Sequence, residues 1–173
     1  MSSHILTPRC PSAGLHIPRP SATPVVAHVD GAVGPGNPGL YAGVGVAIAS
    51  HSGACGLERG LCVAHPCTGR PTWSCNAAEY EASLTSLRVL YRLGWRGPVL
   101  IRSDSQLVVK QYNAEYGVYE PTLVELLQKL QRAATFFDEL MLEWVPRERN
   151  GGADALARRG LELARRRGER AAS

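Results

Sequence analysis

Val99-Leu-Ile-Arg-Ser-Asp-Ser-Gln-Leu-Val-Val109 is the stretch whose reading decides the fold. Val99 to Arg102 reads as a buried strand, Asp104 follows at once, and Ser105 to Tyr112 reads as a short helix. A strand that feeds directly into helices before the next strand is the mark of crossover-connected, parallel pairing. Downstream, Pro121 suits the first position of a helix. Leu123, Leu126, Leu127, Leu130, Ala134 and Phe137 make that helix's apolar stripe. Leu140 to Val145 reads as the last strand. Ala153 to about Arg167 reads as a terminal helix with Leu156 and Leu163 facing inward.

Upstream of the same stretch the pattern is different. Val25 to Val29 and Val44 to Ala49 read as strands on either side of the Gly34-Pro-Gly-Asn-Pro-Gly39 turn. Gly60 to Ala64 reads as a third strand, paired antiparallel through a turn near Ser52-Gly53, and His65 to Trp73 reads as a loop. From Ala77 a helical period takes over, with Tyr80, Leu84, Leu87 and Tyr91 on one face and Gly94 at its end. The order of elements predicts an α/β fold: a five-stranded mixed sheet, its first three strands antiparallel, flanked by helices. Ligand sites in such sheets gather at the carboxyl ends of strands where the strand order switches, and Asp30 and Asp104 fall at two such ends.

Composition sets the outer limits. The chain has 173 residues, 45% of them hydrophobic and 20% charged, ordinary for a globular protein and enough to bury a core. It holds no run of eighteen apolar residues, so no membrane-spanning helix is expected. The net charge of +4 comes from the ends, since Val25 to Gly160 holds thirteen basic and thirteen acidic residues. Residues 1–24 carry five prolines and no acid and read as a disordered leader, with an organelle transit peptide as the second reading. Residues 25–164 form the expected catalytic domain, and 165–173 an Arg-rich tail suited either to a polyanion or to a solvated helix end. Five cysteines without a secretory signal favour reduced thiols and a cytoplasmic setting. Cys62-Val-Ala-His-Pro-Cys67 lacks the paired spacing of a zinc site.

Four carboxylates carry the chemistry. Asp30 stands in Val-Asp-Gly, Glu79 in Asn76-Ala-Ala-Glu-Tyr80, Asp104 in Ser-Asp-Ser-Gln106 and Asp154 in Asn150-Gly-Gly-Ala-Asp-Ala-Leu156. Taken singly, each has a bland explanation: a turn former, a cap, or a first-turn helix charge. Glu81, two residues beyond Glu79, reads as a solvated charge. Converging, the four would make an acidic pocket for hard divalent cations. Two such cations about 3.5–4 Å apart activate water on one side of a phosphorus and stabilise the leaving oxygen on the other. Crowded carboxylates should also have raised pKa values in the absence of metal.

These four contexts resemble the motifs of type 1 ribonuclease H, in its compact prokaryotic and reverse-transcriptase-like branch. Asp30-Gly with Gly36-Asn-Pro-Gly39 is similar to the first motif, and Asn76-Ala-Ala-Glu-Tyr80 to the second. Ser103-Asp-Ser-Gln-Leu-Val-Val109 is similar to the third. Val145-Pro-Arg-Glu-Arg-Asn150 with Ala153-Asp-Ala-Leu-Ala157 is similar to the fourth. The resemblance spans roughly Val25 to Leu161. It implies the ribonuclease H-like fold and a monomer cleaving the RNA strand of RNA/DNA hybrids with two Mg²⁺ or Mn²⁺ ions, leaving 5′-phosphate and 3′-hydroxyl ends. By the same resemblance Asp30 would bridge the metals, Glu79 and Asp104 would hold one, and Asp154 the other. Asn37, Cys75, Asn76, Ser105, Gln106 and Arg147 would lie on the substrate side. There the 2′-hydroxyls of the minor groove distinguish RNA from DNA. Asn37 and Gln106 also read as a turn residue and an exposed helix residue, and Asn76 as a helix N-cap.

Three departures from the family pattern bear on function. The span from Asp30 to Asn37 is one residue longer than usual, Cys75 replaces a customary Asn, and the loop before Asp154 lacks its customary histidine, leaving Pro146-Arg-Glu-Arg149. They keep two alternatives open: a nucleic-acid-binding module of the same fold without turnover, and a same-fold nuclease for another duplex such as double-stranded RNA.

Overall fold

The computed structural model describes residues 23–49, 59–64 and 73–171, with residues 59–64 described through their backbone. Its centre is a five-stranded sheet in the order β3-β2-β1-β4-β5. The strands are β1 (Val25–Gly34), β2 (Tyr41–Ala49), β3 (Arg59–Ala64), β4 (Val99–Ser103) and β5 (Leu140–Trp144). The β1–β2 and β2–β3 pairs are antiparallel, whereas β1–β4 and β4–β5 are parallel. Among the described residues four α-helices flank the sheet: α1 (Cys75–Arg92), α2 (Gln106–Tyr112), α3 (Pro121–Ala134) and α4 (Gly151–Ala171). None is long and apolar enough to cross a membrane. The expected turn near Ser52-Gly53, the 65–72 segment, the leader up to residue 22 and Cys10, Cys55 and Cys67 lie outside the described residues.

β1 runs further than its apolar segment. Its parallel pairing with β4 stops at Val29↔Ser103, while its antiparallel pairing with β2 continues to Gly34↔Tyr41. Asp30 therefore sits inside the strand, one residue past the last parallel pair, and Asp104 sits one residue past the other half of that pair. The shared register places both acids at the same edge, where β4 leaves the sheet for α2.

One face of the sheet carries a large apolar core. Val25, Ala27, Val29, Val44, Val46, Ile48, Val99 and Ile101 pack with Tyr80, Leu84, Leu87 and Leu90 of α1 and Leu123, Leu126 and Leu130 of α3. Tyr91, expected on the buried face of α1, is 44% exposed. It lies edge-on to Phe136 under the Arg96 guanidinium. Glu81 is a correction of the opposite kind. It is 8% exposed and is ion-paired with Arg88, because seven residues along a helix return to nearly the same face.

The other face is closed by α4 in a different way. Its buried positions are Ala153, Ala157, Gly160 and Ala164, a four-three-four spacing of small residues. The expected inward leucines are not the contact, since Leu156 is only partly buried and Leu163 is 37% exposed. The reason lies in β2. A Cβ on Gly43 would stand 2.1 Å from Leu161 N, and one on Gly45 would stand 2.0 Å from the Ala153 carbonyl oxygen. Helix backbone rests on strand backbone here, which leaves no room for leucine. α4 also begins two residues earlier than Ala153 and runs on to Ala171, so residues 165–171 continue the helix. Within it Arg165 pairs with Glu162 and Glu169, and Arg166 with Glu162.

Candidate active site

Each acid is delivered by a different element. β1 presents Asp30, which is buried. α1 approaches β1 so closely that a Cβ on Gly31 would lie 2.4 Å from the Ala78 carbonyl carbon and 2.5 Å from Glu79 N. Gly31 thus admits the first turn of α1 against the strand and brings Glu79 beside Asp30. Ser74, not Asn76, is the N-cap of α1, accepting from Ala77 N at 3.1 Å. The end of β4 presents Asp104, and Ser105 caps the short α2 that follows. Asp30, Glu79 and Asp104 each offer a carboxylate oxygen within 4.8 Å of the other two.

The electrostatics match a site that lacks positive charge. Burial, followed by the charges of Asp104 and Asp154, pushes Asp30 up to about 6. Burial, then Asp30 and Asp104, holds Glu79 well above the usual carboxylate range, against an opposing hydrogen bond from the Gly31 backbone. Glu79 Oε2 is buried with no hydrogen-bond partner. A buried hard oxygen without a donor, in a cluster of three carboxylates, fits a divalent cation, which would neutralise the charge and use the idle lone pair.

Asp154 stands apart from this triad. Its Oδ1 accepts from Arg147 Nη2 at 2.8 Å, and its Oδ2 is 3.0 Å from Arg158 Nε. Its charge still reaches Asp30. The four acids therefore share one edge, but three converge while the fourth is held by two guanidiniums.

The residues expected on the substrate side surround the same edge. Asn37 Oδ1 accepts from Cys75 N at 3.1 Å, so the longer first turn still reaches the start of α1. The Gly39–Trp73 bridge fastens the same two segments. Cys75 is exposed with a free thiol, and Asn76 is half-buried. Gln106 is exposed at the start of α2, and Ser105 N–H donates to Ser103 Oγ at 3.1 Å. Arg147 lies beside Asp154, its side chain 66% exposed.

Sequence reasoning assigned no role to Asn150, Arg158 or Trp144, yet all three touch the acids. Asn150 bonds to Asp104 and Arg158 pairs with Asp154. Trp144 Nε1–H donates to the Asp104 carbonyl at 3.1 Å. Asn150 was the one within reach, as an Asn immediately before a helix is a capping signal. The others carried no signal, because they depend on which strand ends meet.

A mixed sheet in this order, with acids gathered where the parallel strands end, defines the class of ribonuclease H-like proteins. Comparison with known proteins agrees. The family described as Reverse transcriptase-like matches residues 29–160. Ribonuclease HI of Halobacterium salinarum is 36% identical over 140 residues, 81% of this chain and 65% of its own length. The crystal structure of RNase H1 from the same organism superposes with a TM-score of 0.71 at 32% identity, covering 81% of this chain and 98% of that one. The structure of LC11-RNase H1 in complex with an RNA/DNA hybrid gives 0.69 at 31% identity, covering 81% and 98%. A bifunctional protein of Mycobacterium tuberculosis is 36% identical over 89 residues, 51% of this chain but only 24% of its own length. The chain thus spans about a quarter of that relative and about two thirds of the halobacterial one. The chain belongs to the ribonuclease HI family.

Proposed function

We propose that this protein is a divalent-metal-dependent endonuclease that hydrolyses the RNA strand of RNA/DNA hybrids, leaving 5′-phosphate and 3′-hydroxyl ends. The observation that carries the reading is the Asp30–Glu79–Asp104 triad, three carboxylate oxygens within 4.8 Å of one another, with Glu79 Oε2 buried and unpartnered. Kinship with a ribonuclease H1 solved in complex with an RNA/DNA hybrid supports the substrate class.

Mg²⁺ or Mn²⁺, two ions when fully loaded, would supply Lewis acidity and an activated water. The protein contributes placement. Asp30 interacts with Asp104, Asp154 and Glu79 alike and would be the shared ligand. Glu79 and Asp104 would hold one ion, and Asp154 would serve the second once released from Arg147 and Arg158. Asn37, Asn76 and Gln106 line the rim with amide groups able to donate to and accept from 2′-hydroxyls and base edges. Backbone anchoring of Asn37 through Cys75 N fixes one of these amides before substrate arrives.

The test is a panel of labelled RNA/DNA, RNA/RNA and DNA/DNA duplexes in Mg²⁺ and in Mn²⁺, with chelator and Asp104→Asn as controls. Metal-dependent cleavage of the hybrid alone is the expected result. Cleavage of another duplex in preference would replace the substrate assignment. One observation favours a second reading, a binding module without turnover: both oxygens of Asp154 are engaged by arginines. Hybrid retention with no cleavage in either metal would establish it.

A further inference from the structure

Asn150 is a fully buried polar side chain at this edge, 1% exposed. Its Nδ2 donates to the Val29 carbonyl at 2.9 Å and to Asp104 Oδ1 at 2.8 Å. Its own carbonyl accepts from Ala153 N at 3.0 Å and Asp154 N at 3.1 Å. One residue therefore ties together the β1 backbone just before Asp30, the carboxylate of Asp104 and the first turn of the helix that carries Asp154. Two amide hydrogens are spent on two acceptors, so the opposite amide orientation would aim Oδ1 at a carbonyl and a carboxylate and is excluded electrostatically. The remaining oxygen, Asn150 Oδ1, is buried, and the amide acts on the imidazole of His28, whose pKa burial lowers and Asn150 raises.

We propose that Asn150 is a positioning residue. It selects which oxygen of Asp104 faces Asp30 and Glu79, and it locks the start of α4 to the parallel strand pair. Binding one Asp104 oxygen leaves the other free to turn toward the triad. The role rests on the metal-nuclease reading, since it concerns how the ligands of that site are aimed. It differs from a ligand role, because a neutral amide whose hydrogens both point at acceptors offers no lone pair to a cation on that side.

The experiment compares wild type, Asn150→Ala and the milder Asn150→Ser by calorimetric titration with Mn²⁺ alone, at a temperature where circular dichroism shows each protein folded. Loss of a hydrogen-bonded partner behind a metal ligand lowers metal affinity by about 10- to 100-fold. That weakening is expected for Asn150→Ala, and a smaller one for Asn150→Ser, whose shorter side chain restores at most part of the contact. In cleavage assays kcat should fall while KM for hybrid stays within about twofold. Folded variants that bind Mn²⁺ within twofold of wild type overturn the proposal, whatever their thermal stability. Wild-type protein that binds Mn²⁺ but leaves hybrid uncut defeats the hybrid-nuclease reading alone, and the Mn²⁺ affinities still decide the role of Asn150.

Discussion

The acid triad and the fourth acid are built on opposite principles. Asp30, Glu79 and Asp104 crowd one another in a partly buried pocket, where burial and the neighbouring acids oppose the charge of Asp30 and Glu79. Asp154 lies at the start of α4 and is neutralised by two exposed arginines. The difference teaches where cation affinity resides. The triad gains the most from an incoming divalent ion, whereas at Asp154 such an ion must displace ion pairs that already exist.

The largest expected effect breaks the triad outright. Asp104→Asn should lower hybrid cleavage by more than about 100-fold, beyond the loss typical of a supporting residue, while hybrid still binds in a gel-shift assay. Cleavage within tenfold of wild type would show that the triad is not the metal seat.

A pH series sharpens the same contrast without substrate. Asp30 and Glu79 have folded-state pKa values above their unfolded ones, so the folded state binds more protons. Their contribution to stability is fully present below about pH 4; it is lost for Asp30 as pH rises through about 6, and for Glu79 as pH rises through its own raised pKa. For Asp30 the loss is at most about 3 kcal/mol. Urea midpoints of the metal-free protein should therefore fall across that window. Glu79→Gln should flatten the fall more than Asp154→Asn does, and Mn²⁺ at neutral pH should recover the lost midpoint.

Two glycine substitutions separate the parts structurally. Gly31→Ala presses α1 away from β1, and Gly45→Ala presses α4 away from β2; both meet backbone rather than a yielding side chain. Each should destabilise by about 1–3 kcal/mol in denaturant titration. Mn²⁺ affinity should drop more for Gly31→Ala, which moves Glu79 within the triad. Equal losses would mean that α4 matters to the triad as much as α1 does.

The smallest effect concerns the arginines. Arg147→Ala with Arg158→Ala frees Asp154 from two exposed ion pairs that water and salt screen. The Mg²⁺ concentration for half-maximal cleavage should fall by a few fold. An unchanged or higher midpoint would mean that the arginines assist the site rather than compete for it.

Legibility followed the range of the forces involved. The apolar run Val99–Ile101, the period of α1, Pro121 and Gly94 carry local signals, and the strands and helices stand where those signals place them. Misreadings came where a neighbour in space decides burial. Glu81 looked like surface charge because Arg88, which donates to its carboxylate, is seven residues away on the same helix face. Leu156 and Leu163 looked like the inner face of α4 because leucine is the usual core residue. Nothing near them in sequence shows that Gly43 and Gly45, over a hundred residues earlier, admit only alanine and glycine.

By itself the sequence determined the local chemistry: which acids stand in which motifs, where the chain turns, and the α/β order that makes a mixed sheet. Those properties are set by backbone preferences and side-chain periodicity within a few residues. Only the tertiary structure decided that three acids converge and the fourth is held aside, and that Asn150 joins β1, β4 and α4. Such relations depend on strand register and on helix-to-strand backbone approach, which arise when distant segments pack together.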